Sequence, residues 1–380
     1  MTLLLVGCTL ALCAWVGVLV APHQPHRMRE RLEADDSVPA DLSAVTVLIP
    51  ARDEADVIGR TLAALPRQGR GLAAVVVDDQ SGDGTAAVAA AAAHGLDLTI
   101  VRGEPLPPGW AGKLWALEQG LRLVDRPYVL LLDADIELAP RFVPVLLREA
   151  QARGASLVSI MAELRCQTFW ERLLTPAFVF FFKLLYPFAW SNDPRKRTAA
   201  AAGGCMLVRT AALRAVGGFG AIRGALIDDC TLAGVLKRAA PPIWLGVSRS
   251  VRSLRAYPSL RDFWAMVSRS AFTQLRHSSV LLLTTTLLML VFLLAPVVAV
   301  ALAPCAGAGP AAAGAIAWLA MSLAYAPVVR FYRLRSAWAL TLPAAAALFL
   351  AMTWSSAFAY WRGSHSRWKN HSYDRSLAPP

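Results

Sequence analysis

Three short apolar runs each end in a group of carboxylates. YVLLL is followed by Asp133-Ala134-Asp135. AAVVVD closes on Asp78 and leads into Asp79-Gln80-Ser81-Gly82-Asp83-Gly84-Thr85. VTVLI leads into Pro50-Ala51-Arg52-Asp53-Glu54. Two aspartates at i and i+2 beyond a buried strand can reach one hard divalent cation, and Mg²⁺ or Mn²⁺ suits such all-oxygen ligands. A cation there would neutralise a diphosphate that the carboxylates would otherwise repel. Taken singly, each group has a plainer reading as a turn or helix cap, and Ser81 and Asp83 between glycines fit a turn well. Three such groups at the ends of three strands argue for a shared ligand, because gathered carboxylates repel unless a cation or donor holds them.

Strand and helix patterns alternate around these groups. Val45–Ile49, Ala73–Asp78 and Tyr128–Leu132 are nearly continuous apolar runs, as in strands covered on both faces. Helix-forming stretches lie at Ala55–Leu65, Thr85–His94 and Lys113–Val124. The alternation predicts an α/β fold, Rossmann-like, with a mostly parallel sheet. In such sheets ligands bind beyond the carboxyl ends of the strands. The polar domain is expected over residues 41–276.

The run VTVLIPARDEADVIGRTLAAL, with VVVDDQSGDGT, GKLWALEQGL and YVLLLDADIELAP after it, resembles the family 2 glycosyltransferases, which have the GT-A fold. AAGGCMLVRTAALRAVGGFGAIRGALIDDCTLA looks like the acceptor half of that family, so the likeness covers about Val45 to Arg276. Within the family, GEPLPPGWAGKLWAL, SRSAFTQLRHS and the order of apolar spans are similar to the hopene-associated glycosyltransferases of hopanoid-producing bacteria.

The resemblance implies roles residue by residue. Pro50, Ala51, Glu54 and Asp79 would hold the nucleobase and ribose, and Lys113 would lie near the nucleotide phosphates. Asp133 would contact nucleotide and metal, and Asp135 the metal, a divalent Mg²⁺ or Mn²⁺. Gly203 and Gly204 would line the acceptor pocket with Asp228, and Gly217-Gly218-Phe219 would complete the site. The family usually shows Glu-Asp where this chain has Asp228-Asp229. The second acid matches the catalytic base, so Asp229 would take the acceptor's proton in a single inverting displacement. On residue type alone, Asp228-Asp229 would read as a helix start before TLAGVLKR. Cys205 has no histidine near it in sequence and reads as a buried small residue.

One family motif is incomplete. Membrane-bound relatives carry QxxRW, and the matching stretch here is Met266-Val267-Ser268-Arg269-Ser270. Arg269 is expected to bind diphosphate. The missing tryptophan removes a platform for a growing sugar chain, which argues against a processive synthase.

Composition places this domain on a membrane. Hydrophobic residues make up 56% of 380, yet charged residues reach 17%, a mixture that fits a polar domain joined to apolar spans. The net charge of +12 has no run of five or six basic residues and clusters beside apolar segments. It points to an anionic lipid surface rather than nucleic acid. Thr2–Ala21 is uncharged and is followed by Arg27, Arg29 and Arg31, so residues 1–21 read as an anchor with the following chain cytoplasmic. Val280–Val329 contains no Asp, Glu, Lys or Arg and is broken around Ala303–Pro310. Arg330, Arg333 and Arg335 form a basic loop before the apolar run Ala337–Trp361. About three helices are therefore expected over 278–361. Counting spans puts the basic tail (Arg362, Arg367, Lys369, Arg375) outside, against its charge; the short Arg330 loop is the stronger guide. Phe169–Trp190, rich in aromatics and broken by Pro176 and Pro187, is expected to lie at the interface, with a buried core helix as the plainer reading.

Together these expectations describe a multi-pass protein of a bacterial inner membrane with its catalytic domain in the cytoplasm. It would be a hexosyltransferase-type enzyme that moves a sugar from a nucleotide-diphosphate donor, UDP-linked first, to a lipid acceptor of the hopanoid class. The alternatives are a polyprenyl-phosphate sugar synthase and a non-catalytic nucleotide-sugar-binding scaffold.

Overall fold

A computed structural model describes residues 1–363 together with the pairs 367–368 and 371–372. Lys369 and Arg375 of the basic tail lie outside the described residues. The chain divides into two compact units. Among the described residues, one comprises Met1–Arg29, Cys166–Ala189 and residues 257–363, and the other Glu30–Arg165 and Trp190–Ala256. The polar unit thus ends at Ala256 rather than at Arg276, and residues 166–189 belong to the helical unit.

Within residues 30–256 the polar unit is built on eight strands: β1 Val45–Ala51, β2 Ala73–Asp78, β3 Asp97–Arg102, β4 Tyr128–Leu132, β5 Ile136–Leu138, β6 Leu157–Glu163, β7 Cys205–Arg209 and β8 Ile243–Ser253. They form one sheet in the order β3-β2-β1-β4-β7-β6-β8-β5. The pairings β1–β2, β2–β3, β1–β4 and β6–β8 are parallel. β7 runs antiparallel to both β4 and β6, and β5 antiparallel to β8. The sheet is therefore mixed and mostly parallel. β1 and β4 are buried almost throughout, as their apolar runs require. β3 alternates exposed and half-buried residues at the sheet edge.

β1 continues two residues beyond Ile49. Pro50 and Ala51 were expected in the following loop; they are instead buried strand residues paired with Val77 and Asp78 of β2. A central strand tolerates Pro50 because pairing with β4 has already stopped at Leu48↔Leu131, where one ladder ends. The alternation of directions has one consequence for the site. The carboxyl ends of β1, β2, β4 and β8 and the amino end of β7 share one edge of the sheet.

Among the described residues, the helical unit contains four helices long and apolar enough to cross a membrane: Thr2–Val20, Ser279–Ala301, Ala308–Phe331 and Ser336–Trp361. Ser279–Ala301 passes through a π-helical turn at Leu290–Leu294, just before Pro296. Proline supplies no N–H to the carbonyl four residues back and crowds it, which favours such a wider turn. The Phe292 carbonyl takes a hydrogen bond from the Trp15 indole at 2.8 Å. In an apolar surrounding a carbonyl released by proline needs such a partner. Gly314 lets Ala308–Phe331 pack closely on this helix, since a Cβ there would sit 2.6 Å from the Pro296 carbonyl.

Phe169–Leu185 starts with a capping box between Thr168 and Glu171. The helix is more deeply covered than an interfacial segment should be. Leu174, Ala177 and Phe180 are fully buried, and Phe180 and Phe181 pack on Tyr325 and Phe349. Lys183 is 1% exposed, with its ammonium 3.7 Å from the centre of the Phe188 ring. Phe169 and Leu185 at the two ends are exposed.

Candidate active site

The strand-end turns are tied together before any ligand is considered. Arg52 donates to the Asp79 carbonyl at 2.9 Å and to its Oδ2 at 3.0 Å. Asp53 accepts the Gly82 N–H at 2.9 Å, and the Asp53 N–H donates to Ser81. Thr85 and Asp83 take the N–H groups of Glu54 and Ala55, the latter pair opening the helix Ala55–Ala63. Ser81 and Asp83 are thus turn and capping residues, as their glycine-flanked setting suggests. Asp79 is 1% exposed and carries its charge against Arg52.

Asp133 follows β4 directly. Its N–H donates to the Gly204 carbonyl at 3.0 Å, which joins the end of β4 to the approach of β7. Its carboxylate meets Lys113, at the start of the helix Gly112–Leu121, with Nζ to Oδ1 at 2.9 Å. The same ammonium lies 3.2 Å from Asp228 Oδ2. Burial pulls the Lys113 ammonium down, but the charges of Asp133, Asp228 and Asp229 outweigh that and raise it above its ordinary value. Burial raises the Asp133 carboxyl in spite of Lys113, and the charge of Asp135 adds to the rise.

Asp135 Oδ2 accepts from the Ser253 hydroxyl at 3.0 Å and from Arg255 Nε at 3.3 Å. Arg255 also reaches both oxygens of Glu54, at 2.7 and 2.9 Å. Sequence reasoning missed Arg255. Its residue type offered no signal, for SRSVRSLR contains three arginines of equal spacing; its place just past the end of β8 singles it out.

Asp228 and Asp229 open the helix Asp228–Ala239, with Ile227 at the N-cap. Neither acid is the cap. Asp229 Oδ1 accepts the Cys230 N–H at 2.7 Å, and Oδ2 accepts the Gly203 N–H at 3.0 Å. Burial, and then the neighbouring charge of Asp228, push the Asp229 carboxyl up to about 7, against the pull of the Cys230 N–H, Lys113 and the Gly203 N–H. Such a carboxyl is poised to exchange a proton near neutrality. The far end of the helix is pinned as well. Lys237 is buried and donates to the carbonyls of Trp190, Ser191 and Thr198 at 3.1, 2.6 and 2.6 Å. The segment that leads to Gly203 and the helix that carries Asp229 therefore hold each other at both ends.

One edge of the sheet brings together Glu54, Lys113, Asp133, Asp135, Gly203, Gly204, Asp228 and Asp229. Pro50 and Ala51 stand in β1 just before it. Arg269 falls in the helical unit, at the end of the helix Leu260–Ser268. Gly217 and Gly218 have φ of +92° and +64°, which glycine adopts freely, and the Phe219 N–H donates to Glu118 at 2.8 Å. Cys205 is fully buried, and burial followed by the charge of Asp133 holds its thiol protonated.

Residues 46–217 match the family described as Glycosyl transferase family 2. No curated protein sequence matches the chain. Among solved structures, the chain is similar to a mannosyltransferase from Pyrobaculum calidifontis in complex with GDP-Man and Mn²⁺. The identity is 19% and the TM-score 0.53, over 89% of this chain and 97% of that one. It is also similar to S. aureus TarS, at 14% identity and TM-score 0.42, over 60% of this chain and 39% of that one. Glucosyl-3-phosphoglycerate synthase from Mycobacterium tuberculosis matches at 20% identity and TM-score 0.37, over 59% and 75%. The fold likeness rests on the first of these. Residues 46–217 form a glycosyl transferase family 2 domain with a GT-A-like fold, and the protein is a glycosyltransferase.

Proposed function

We propose that this enzyme transfers a sugar from a nucleotide-diphosphate donor to a lipid at a bacterial inner membrane, with inversion and with its catalytic domain in the cytoplasm. The observation that carries the reading is Asp229, a half-buried carboxylate fixed by two backbone N–H groups and adjacent to Asp228, which Lys113 ties to Asp133. Asp229 takes the proton from the acceptor hydroxyl as that oxygen attacks the anomeric carbon opposite the departing diphosphate. Two backbone donors leave it little freedom to swing, so its orientation is set before the acceptor arrives. Asp228, Gly203 and Gly204 shape the acceptor side. Pro50, Ala51, Glu54 and Asp79 serve the nucleoside end, and Lys113 offsets phosphate charge.

The residues fit a divalent cation. Asp133 and Asp135 offer hard oxygens, and carboxylates at this edge outnumber the cations paired with them. Among the described residues no three His, Cys, Asp or Glu side chains gather to enclose an ion. A cation held by these two aspartates would therefore complete its coordination with diphosphate and water oxygens, as Mg²⁺ and Mn²⁺ commonly do. Bound there, it would supply charge stabilisation for the leaving diphosphate. The mannosyltransferase neighbour is a complex with Mn²⁺, which supports the same choice of ion.

The four apolar helices support a lipid acceptor. The phrases GEPLPPGWAGKLWAL and SRSAFTQLRHS favour the hopanoid class over a polyprenyl phosphate. Membranes that contain the enzyme, incubated with a panel of labelled UDP- and GDP-sugars, should label an extractable lipid whose mass identifies the acceptor. Label on a polyprenyl phosphate would replace the hopanoid acceptor, and no labelled lipid with any donor would overturn the lipid reading. A reporter fused after Arg31 should read cytoplasmic; a periplasmic signal would overturn the topology.

A further inference from the structure

The geometry points to Arg255 as a resident counterion that holds Asp135 until a divalent cation takes it over, and that then turns to the diphosphate the cation accompanies. The inference deepens the metal reading above and rests on it. Arg255 spans carboxylates from two different strand ends: Nη2 lies 2.7 and 2.9 Å from Glu54, and Nε lies 3.3 Å from Asp135 Oδ2. Without that guanidinium, two mostly buried carboxylates would face each other with less to offset their repulsion.

The contact with Asp135 is the longer and less direct of the two, which makes it the one that yields. The backbone around it stays fixed. The Leu254 N–H donates to the Asp135 carbonyl at 2.7 Å, and Ile136 is in register with Ser253. The Ser253 hydroxyl also keeps Oδ2 oriented. Every hydrogen bond to the Asp135 carboxylate from the described residues falls on Oδ2, and none on Oδ1. A cation thus meets one oxygen that takes no hydrogen bond from the described residues and one held by a movable charge. The Arg255 side chain is 37% exposed, against 12% for Glu54 and 13% for Asp135, so the long arginine can move while the acids remain in place. Its displaced N–H groups suit a diphosphate, which a guanidinium binds bidentately.

This arrangement couples the two ligands. Cation alone competes with Arg255, whereas cation with nucleotide diphosphate gives Arg255 a new partner, so each ligand should strengthen the other. The test is Mn²⁺ binding by electron paramagnetic resonance on the purified full-length protein in detergent, with and without UDP or GDP. Arg255→Gln should bind Mn²⁺ alone on the order of tenfold more tightly than wild type, the scale on which a nearby charge alters occupancy of a carboxylate. The enhancement by nucleotide diphosphate should shrink in that variant. Arg255→Lys, which keeps the charge without the fork, should fall between the two and carries the test if the glutamine variant unfolds. Ser253→Ala, which removes a neutral donor from the same oxygen, should leave Mn²⁺ affinity close to wild type. Unchanged or weaker Mn²⁺ binding in Arg255→Gln and Arg255→Lys overturns the counterion role. Wild-type binding of Mn²⁺ in the presence of nucleotide tests the metal reading separately. If wild type binds none with or without nucleotide while Arg255→Gln does, Arg255 pairs with Asp135 permanently, and both the exchange proposed here and the metal reading are overturned.

Discussion

The two pairs of aspartates at the sheet edge are held in different ways. Asp133 and Asp135 stand at i and i+2 beyond a strand, and each is matched by a side-chain cation, Lys113 or Arg255. Asp228 and Asp229 are adjacent at a helix start, and both oxygens of Asp229 are held by backbone N–H groups. A side-chain cation can be exchanged for another cation, but a backbone donor stays where the fold puts it. The first pair is suited to ligands that come and go, the second to a proton that must always be taken in the same direction.

The largest effect should come from emptying the exchangeable pair. Asp135→Ala should abolish transfer, and chelation by EDTA should do the same to wild type. Full turnover in EDTA would remove the cation from the first pair and with it half of the contrast.

Asp229→Asn tests the fixed pair. The amide keeps the size of the side chain and can still accept one backbone N–H, but it cannot take a proton. Transfer should fall by about 10²–10⁴-fold, the usual contribution of a positioned acid–base group. Nucleotide affinity on the same protein should change little. Near-normal transfer would show that the backbone donors serve structure alone.

The pH dependence should be milder. A base must be ionised to act, and the Asp229 carboxyl lies near 7. The value of kcat/KM should therefore fall, by about tenfold per unit, as pH drops below about 7, and level off above it. A limb near the ordinary carboxylate range would mean that Asp229 is not the group that titrates. The smallest effect is expected for Asp228→Asn, which weakens the contact with Lys113 while Asp229 keeps both N–H donors. A loss greater than that of Asp229→Asn would exchange the roles of the two acids.

Much of this contrast was open to sequence reasoning, and the unread part has physical causes. β1, β2 and β4 show as apolar runs because both faces of the sheet are covered. β3 does not, since its edge position leaves alternate residues exposed. The reversal of β7 is invisible in CMLVR, because burial selects the same residues in either direction. The i, i+2 spacing of Asp133 and Asp135 pointed to a cation, but their partners Lys113 and Arg255 come from distant segments. Arg249, Arg252 and Arg255 repeat every third residue along the chain, yet Arg255 reaches Glu54 and Asp135 while Arg252 lies against Glu163. Phe169–Trp190 reads as interfacial from its aromatics and prolines, whereas Lys183 within it is buried beside the Phe188 ring.

The reversed β7 also acts as a ruler. Its pairing of Leu132 with Cys205 places Gly203 two residues before the aligned end of β4, where its N–H meets Asp229. A slip of two residues would keep every side chain on its own face and so cost the core little. It would nonetheless carry Gly203 about 7 Å along the strand direction, out of hydrogen-bonding reach of Asp229. Changes at the β4–β7 seam should therefore spoil catalysis before they spoil folding, a failure that a stability screen alone would pass over.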